Sequence, residues 1–261
     1  MSSTETERPR TTLGKVGPPL IGAIAVIAIW WGSAVVFEVR TIFLPKPPEI
    51  IDRLVTQPDY LFGEAWNTLV AILSGYGIAV LAAVIVAIVL GALPPVERAI
   101  LPLLITLNAV PKVVIAPLLV FWLGFGSEPK IFMAALICFF PLVVATMSGL
   151  ASTPAELGEL SRSLSASWWQ TYLKVRIPWA LPQIFVGLKV AMSLAPIGAV
   201  VAEVYNPNGG LGAVVAIAIG AADTPKAFAA IVLLAAMSVS LYYIVVAVER
   251  LVLPWAREIT A

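Results

Sequence analysis

Histidine is absent from the 261 residues, cysteine occurs once, and only 12% of the side chains are charged. Each scarcity removes a class of function. Without histidine, and without a cluster of carboxylates at metal-ligand spacing, metal or acid–base catalysis has little to stand on. The single Cys138 lies in an apolar segment, which excludes an intrachain disulfide and leaves the redox compartment unmarked. A net charge of +1 with no basic run argues against nucleic acid as a partner. No G-x-x-x-x-G-K-[ST] segment is present, so the chain has no phosphate loop of its own, and no cofactor is implied. An internal repeat is also missing, which argues against secondary carriers built from inverted repeats.

What the chain has in abundance is apolar surface. It is 60% hydrophobic, with a mean hydropathy of +0.98. A soluble domain of this size has nowhere to bury so much, whereas spans of about 20 apolar residues are what a hydrocarbon core of about 30 Å requires. The sequence predicts an all-α, polytopic membrane protein with six transmembrane helices. Residues 1–17 are polar and basic and are expected to form a disordered tail, and the apolar run from Pro18 to Phe37 is too long for a signal-peptide core. It is read as the first span.

A polar connector follows, in which Pro45, Pro47 and Pro48 are expected to force an extended stretch before a short helix from about Glu49 to Leu54. The second span is Ala65 to Leu90, with Gly75, Gly77 and Gly91 allowing close helix approach. The third is Ile100 to about Gly124, containing Asn108, Pro111, Lys112 and Pro117; the fourth is Ile131 to about Leu150. The fifth is Ile184 to about Val204, then a loop or re-entrant segment from Tyr205 to Pro225, then the sixth from Ala227 to about Val248.

The longest polar interlude inside this apolar chain is Ser152 to Pro182, STPAELGELSRSLSASWWQTYLKVRIPWALP. Thr153, Pro154 and Glu156 have the spacing of a capping box with proline at the first helical position. Leu157, Leu160 and Leu164 follow along one side of the helix it would start, with Glu156, Glu159, Arg162 and Ser163 on the others. Ser165-Ala166-Ser167 is a weak breaker, and a second short helix from Trp168 to Val175 is expected to stop or kink at Pro178 and Pro182. One reading is an ordinary interfacial loop helix. The other is a helix that docks its exposed face into a groove of a soluble protein.

Charge sets the orientation. With the amino terminus inside, the inner segments hold Arg8, Arg10, Lys15, Arg98, Arg162, Lys174, Arg176, Arg250 and Arg257. The outer segments hold Arg40, Lys46, Arg53, Lys130 and Lys226. The excess of lysine and arginine on the first side puts both termini and the Ser152–Pro182 loop in the cytoplasm.

Four polar residues fall in or near the spans. Lys112 would face a cavity or partner, or serve structurally beside the Pro111 kink. Asn108, one turn away, shares its face and is expected to make an interhelical hydrogen bond. Lys189 is expected to snorkel to the headgroups. Glu203, near the outer end of the fifth span, either lines an outer gate or contacts a binding protein, or is a satisfied interface carboxylate. The Trp168–Trp169 pair is read as an anchor at the membrane surface.

The interlude resembles the EAA loop of ABC importer permeases. In that pattern E-A-A is followed by three residues, G, nine residues, I, any residue, L and P. Glu159 stands at the E, Leu160 and Ser161 at the alanines, Ser165 at the glycine, then Val175, Ile177 and Pro178. The spacing is kept while the alanines and glycine are replaced. FLPKPPEIIDRL, NAVPKVVIAPLLVFWLGFG, the Gly-Leu-Gly after Asn208 and the tail ERLVLPWAREITA also resemble the nitrate, sulfonate, taurine and pyrimidine-precursor group, from about Leu44 to Trp255.

The resemblance implies a type I ABC importer permease-like core, about residues 65–250 of a permease domain 18–261, with the coupling loop at 152–182. It implies a bacterial inner-membrane location. The implied partners are two ATPase subunits, an extracytoplasmic solute-binding protein, a second permease copy as a homodimer, and membrane lipid. The chain itself would be no enzyme. Glu156, Glu159, Leu160, Ser161, Leu164, Ser165 and Pro178 would couple it to the ATPase, and Asn108, Lys112 and Glu203 are candidates for the translocation pathway. A self-contained secondary transporter, with a coupling-ion site in the spans, is the alternative, and a structural membrane scaffold is a third class.

Overall fold

A computed structural model describes residues 12–255, and every regular element in them is helical. In chain order these are α1 (Thr12–Val36), α2 (Pro47–Thr56), α3 (Pro58–Ala92), α4 (Pro94–Asn108), a 3₁₀ turn (Lys112–Ile115), α5 (Ala116–Leu123) and α6 (Glu128–Ala151). After them come α7 (Ala155–Ser163), α8 (Trp168–Thr171), a π-turn (Tyr172–Arg176), α9 (Ile177–Val204), α10 (Leu211–Gly220) and α11 (Thr224–Val252). Arg8, Arg10 and Arg257, used above for orientation, lie outside the described residues. So does the expected tail as far as residue 11, while Thr12 to Gly17 belong to α1.

The six expected spans each have a counterpart. Among the described residues four helices are long and apolar enough to cross a bilayer: Pro58–Gly91, Glu128–Ala151, Trp168–Val204 and Thr224–Val252. The apolar part of α1, Ile21–Val36, is shorter. The remaining span is broken, with Arg98–Asn108 and Lys112–Leu123 meeting at 79°. The sequence reading of one helix there needs correction. Pro111 has no N–H to donate and its ring opposes a continued helix, so the chain leaves the helix after Asn108 and restarts at Lys112.

The break does not turn the segment back on itself. At one end of the molecule Gly91, closing α3, lies against Tyr172, whose Oη stands 2.9 Å from where a β-carbon would sit. At the far end Phe125 and Gly126 accept bonds from the side chains of Asn208 (3.0 Å) and Asn206 (2.7 Å). The bent pair therefore carries the chain from one end to the other and is a broken span.

α6 is the centre of the bundle, packed against α9 on one side and α3 on the other. Small residues let the backbones meet. A β-carbon on Gly75 would stand 2.6 Å from Ala134 Cβ and from the Ile131 carbonyl; one on Gly198 would stand 2.6 Å from Ala134 Cα. Helices in lipid gain little from apolar burial between them, so this contact distance sets how much dispersion they collect. Gly77, expected to serve the same purpose, has nothing within 4 Å of its would-be β-carbon.

Two further expectations change. The prolines at 47 and 48 occupy the first turn of α2, where no amide donor is needed, and the Lys46 N–H is taken by the Glu49 carboxylate at 2.9 Å. Lys189 does not snorkel outward: its ammonium holds both carboxylate oxygens of Glu249 at 2.9 and 2.8 Å, tying α9 to α11. A charge with a partner one helix away needs no headgroup.

Gly75→Ala is expected to lower stability by roughly 1–3 kcal/mol through overpacking. Gly77→Ala leaves stability unchanged or slightly raised. Thermal unfolding of both variants in the same detergent checks the contrast.

Candidate functional site

The polar interlude is a built structure. Thr153 does not start α7: its hydroxyl donates to the Leu150 carbonyl (3.0 Å), and that of Ser152 to Gly149 (2.8 Å). Both hydroxyls finish α6, and α7 follows an N-cap at Pro154 with no side-chain cap. The expected capping box at Thr153 and Glu156 is thus not formed, because a threonine beside a helix end finds the freed carbonyls first. Glu156 is exposed.

The end of α7 matches expectation more closely. Ser165 has φ +53°, at the position read as that of the motif glycine. The Ser165 N–H donates to Arg162 and the Ala166 N–H to Ser161, at 2.9 and 3.0 Å. These are the two bonds of a Schellman motif, with Ser165 as its left-handed residue. A β-carbon there costs about 1–2 kcal/mol relative to glycine.

A capping box does form further along. Ser167 Oγ accepts from the Gln170 N–H (3.3 Å) and Gln170 Oε1 accepts from the Ser167 N–H (2.9 Å). The S-x-x-Q spacing carried that signal in the sequence. The helix it starts does not stop at Pro178. Within the π-turn the Ile177 N–H reaches back to the Tyr172 carbonyl, five residues away. That one-residue slip lets half-buried Pro178 enter the helix without an orphaned acceptor. Trp168 to Val204 is consequently one 37-residue rod, roughly 55 Å long. It exceeds the bilayer and is braced where Tyr172, buried, stacks on Trp168 and abuts Gly91.

The expected leucine stripe of α7 divides. Leu157 is half-buried and Ser161 is buried, its hydroxyl on the Leu157 carbonyl at 2.8 Å. Leu160 and Leu164 are 56% and 73% exposed, with Glu159 and Ser165 exposed beside them.

At the break in the third span, the Lys112 ammonium donates to the Asn108 carbonyl (2.9 Å) and to its Oδ1 (3.0 Å). It also stands 4.9 Å over the Phe140 ring. Asn108 and Lys112 are therefore brought together as expected. The cation sits on the carbonyl end of α4, where the helix dipole favours it. Asn108 bonds within its own span, not across to another helix.

Glu203, on α9, is 0% exposed. Its carboxylate accepts from Thr68 Oγ1 and from the Gly212 N–H, both at 2.8 Å. Thr68 Oγ1 also accepts from the Leu211 N–H (2.8 Å), and the Gly210 N–H donates to Glu64. The first amides of α10 are thus taken by side chains of α3 and α9. Gly209 and Gly210 have φ of +92° and +102°, and a β-carbon on Gly210 would meet the Glu203 carboxyl at 2.2 Å. Lys130, 3% exposed, closes the turn through the Asn208 and Gly209 carbonyls at 3.3 and 2.5 Å. The sequence marked the glycines and Glu203. It gave no reason to join them to Glu64 and Thr68, more than 130 residues away.

Residues 79–254 match the model of the family described as binding-protein-dependent transport system inner membrane component. The chain belongs to that family. Its members here are the permease subunits of ABC importers, and the matched range encloses the 152–182 loop, the broken span and Glu203. A probable ABC transporter permease protein of Haemophilus influenzae is 34% identical over 86% of this chain and 92% of its own. The formylaminopyrimidine transport permease protein ThiX of Halalkalibacterium halodurans is 30% identical over 92% of this chain and 96% of its own. The taurine transport system permease protein TauC of Escherichia coli is 30% identical, covering 92% of this chain and 90% of its own. This permease is an all-helical, multi-pass membrane protein, as the composition indicated.

Ser165→Gly is expected to stabilise the loop by about 1 kcal/mol, and Ser165→Val to destabilise it by at least as much. The protease sensitivity of the 152–182 segment in each variant reads this directly. Gly210→Ala is expected to displace Glu203 and loosen α10, seen as faster amide exchange from Leu211 to Val214.

Proposed function

We propose that this permease imports a small solute by coupling its spans to a separate ATPase through α7 and the turn at Ser165. The observation that carries the reading is mechanical. The exposed Glu159 and Leu160 stand on a short helix and Leu164 at its end, and the turn at Leu164–Ser165 joins it to a 37-residue rod read as the fifth span. Two leucines in water at a helix end suit a groove on a soluble partner, and Glu159 beside them supplies a charge contact. Ser165 sets the turn, Ser161 seats the helix, and Pro178 lies where the rod enters the bundle. A displacement of α7 reaches the spans without a flexible joint between Trp168 and Val204.

ATP hydrolysis belongs to the partner, since the chain has no phosphate loop. Two ATPase subunits serve two permease copies in a homodimer, and an extracytoplasmic binding protein delivers solute at the far end. Both termini and the loop lie in the cytoplasm, as the lysine and arginine distribution supports. The permease contributes two packings of its spans whose populations are shifted by what binds each side. Asn108 and Lys112, at the break, border the pathway; Glu203 holds the far-end turn of the same bundle. The solute is of the nitrate, sulfonate, taurine or vitamin and pyrimidine-precursor kind, a reading supported by relatives named for formylaminopyrimidine and taurine transport.

Glu159→Arg is the test. The variant is expected to reach the membrane at wild-type level, to lose most uptake, and to co-purify with less ATPase. Normal uptake with normal ATPase recovery would remove the coupling role.

A further inference from the structure

A partly open cavity of about 580 Å³ lies between α7 and the start of the Trp168–Val204 rod. Two of its lining residues, Arg162 and Arg176, are charged, and no carboxylate lines it. Among the described residues neither guanidinium has an ion-pair partner. Glu156 and Glu159, on the same helix as Arg162, are not part of the lining. Two like charges sharing one concavity without a counter-charge repel, and an anion between them relieves that cost.

The rest of the lining narrows the ligand. Thr153 and Thr171 add hydroxyls, while Leu150, Trp168 and Val175 give an apolar wall. Arginine forks match the oxygens of a phosphate bidentately. The depth also fits a headgroup. Trp168, Trp169 and Trp179 stand partly exposed around the same end, the arrangement of an interfacial aromatic belt. The orientation proposed above puts this end on the cytoplasmic side, within reach of inner-leaflet phosphates.

We infer that Arg162 and Arg176 form a site for a phosphate-bearing anion under the coupling loop, filled from the membrane by the headgroup of an anionic phospholipid. The inference concerns the membrane-side cavity and stands apart from docking of the exposed face of α7 on an ATPase. A lipid seated there would brace the loop against the rod at the point where motion passes to the spans.

The experiment uses the full chain, purified and placed in nanodiscs of dioleoyl-phosphatidylglycerol or dioleoyl-phosphatidylcholine, with bound lipid counted by native mass spectrometry after release. Wild type is expected to keep a phosphatidylglycerol under activation that strips phosphatidylcholine. Arg162→Gln, which breaks no bond in the fold, should weaken retention about fivefold, and Arg162→Gln/Arg176→Gln roughly thirtyfold. Arg176→Lys, which keeps the charge, should retain most of it. A parallel arm adds inorganic phosphate to lipid-depleted protein in neutral detergent and follows thermal unfolding. A rise in wild type that the double variant lacks, without selective lipid retention, assigns the same site to free phosphate. Equal retention of the two lipids, or retention unchanged in the double variant, together with no response to phosphate, would overturn the inference. Binding of phosphatidylglycerol can fail while Glu159→Arg still abolishes uptake, so the two readings are separable.

Discussion

A backbone amide or carbonyl left without a partner in hydrocarbon costs several kcal/mol, and the irregular parts of this permease are arranged around that cost. Three interruptions enter the bundle. At each, a side chain or a change of register takes the freed groups. Lys112 covers the carbonyl end of α4 where the third span breaks. Glu64, Thr68 and Glu203 cover the amide end of α10. The π-turn at Tyr172–Arg176 admits Pro178 into a helix that then continues to Val204. Without these devices the chain could hold only straight rods at those depths, and a set of straight rods has no feature at which a pathway or a lever can be built.

The same constraint explains the distribution of charge. Lys130, Lys189 and Glu203 are buried or half-buried, and each has a partner from another element. Arg162 and Arg176, at the loop, have no such ion pair among the described residues. The contrast separates charges that assemble the fold from charges available to something outside it. Glu159, Leu160 and Leu164 belong with the second kind, since they are exposed among the described residues.

Mechanically, the bundle has a stiff centre, against which the proposed coupling loop is set. α3, α6 and α9 meet at glycine and alanine positions where no side chain can be added without displacing backbone. Such an interface resists compression, which supports the proposed passage of a displacement at the α7 end along α9. The far-end turn, held by Glu203 and Lys130, keeps α10 attached to that same rod.

The sequence by itself determined the class of protein, the approximate positions of the six spans, and the site of the turn at Ser165. These rest on composition and local period, which act over one or two helical turns. It also placed Asn108 and Lys112 together, because four residues is a helical spacing. It did not determine which of two nearby acceptors a hydroxyl would choose, so the capping box was assigned to Thr153 and formed at Ser167. Nor could it join Glu203 to Thr68 and Gly212, pair Lys189 with Glu249, turn Leu160 outward while Leu157 turned in, or set the 79° bend. Those outcomes depend on contacts between segments far apart in the chain. Their energy is decided by which groups the packed helices bring within hydrogen-bond distance, and local pattern carries no record of that.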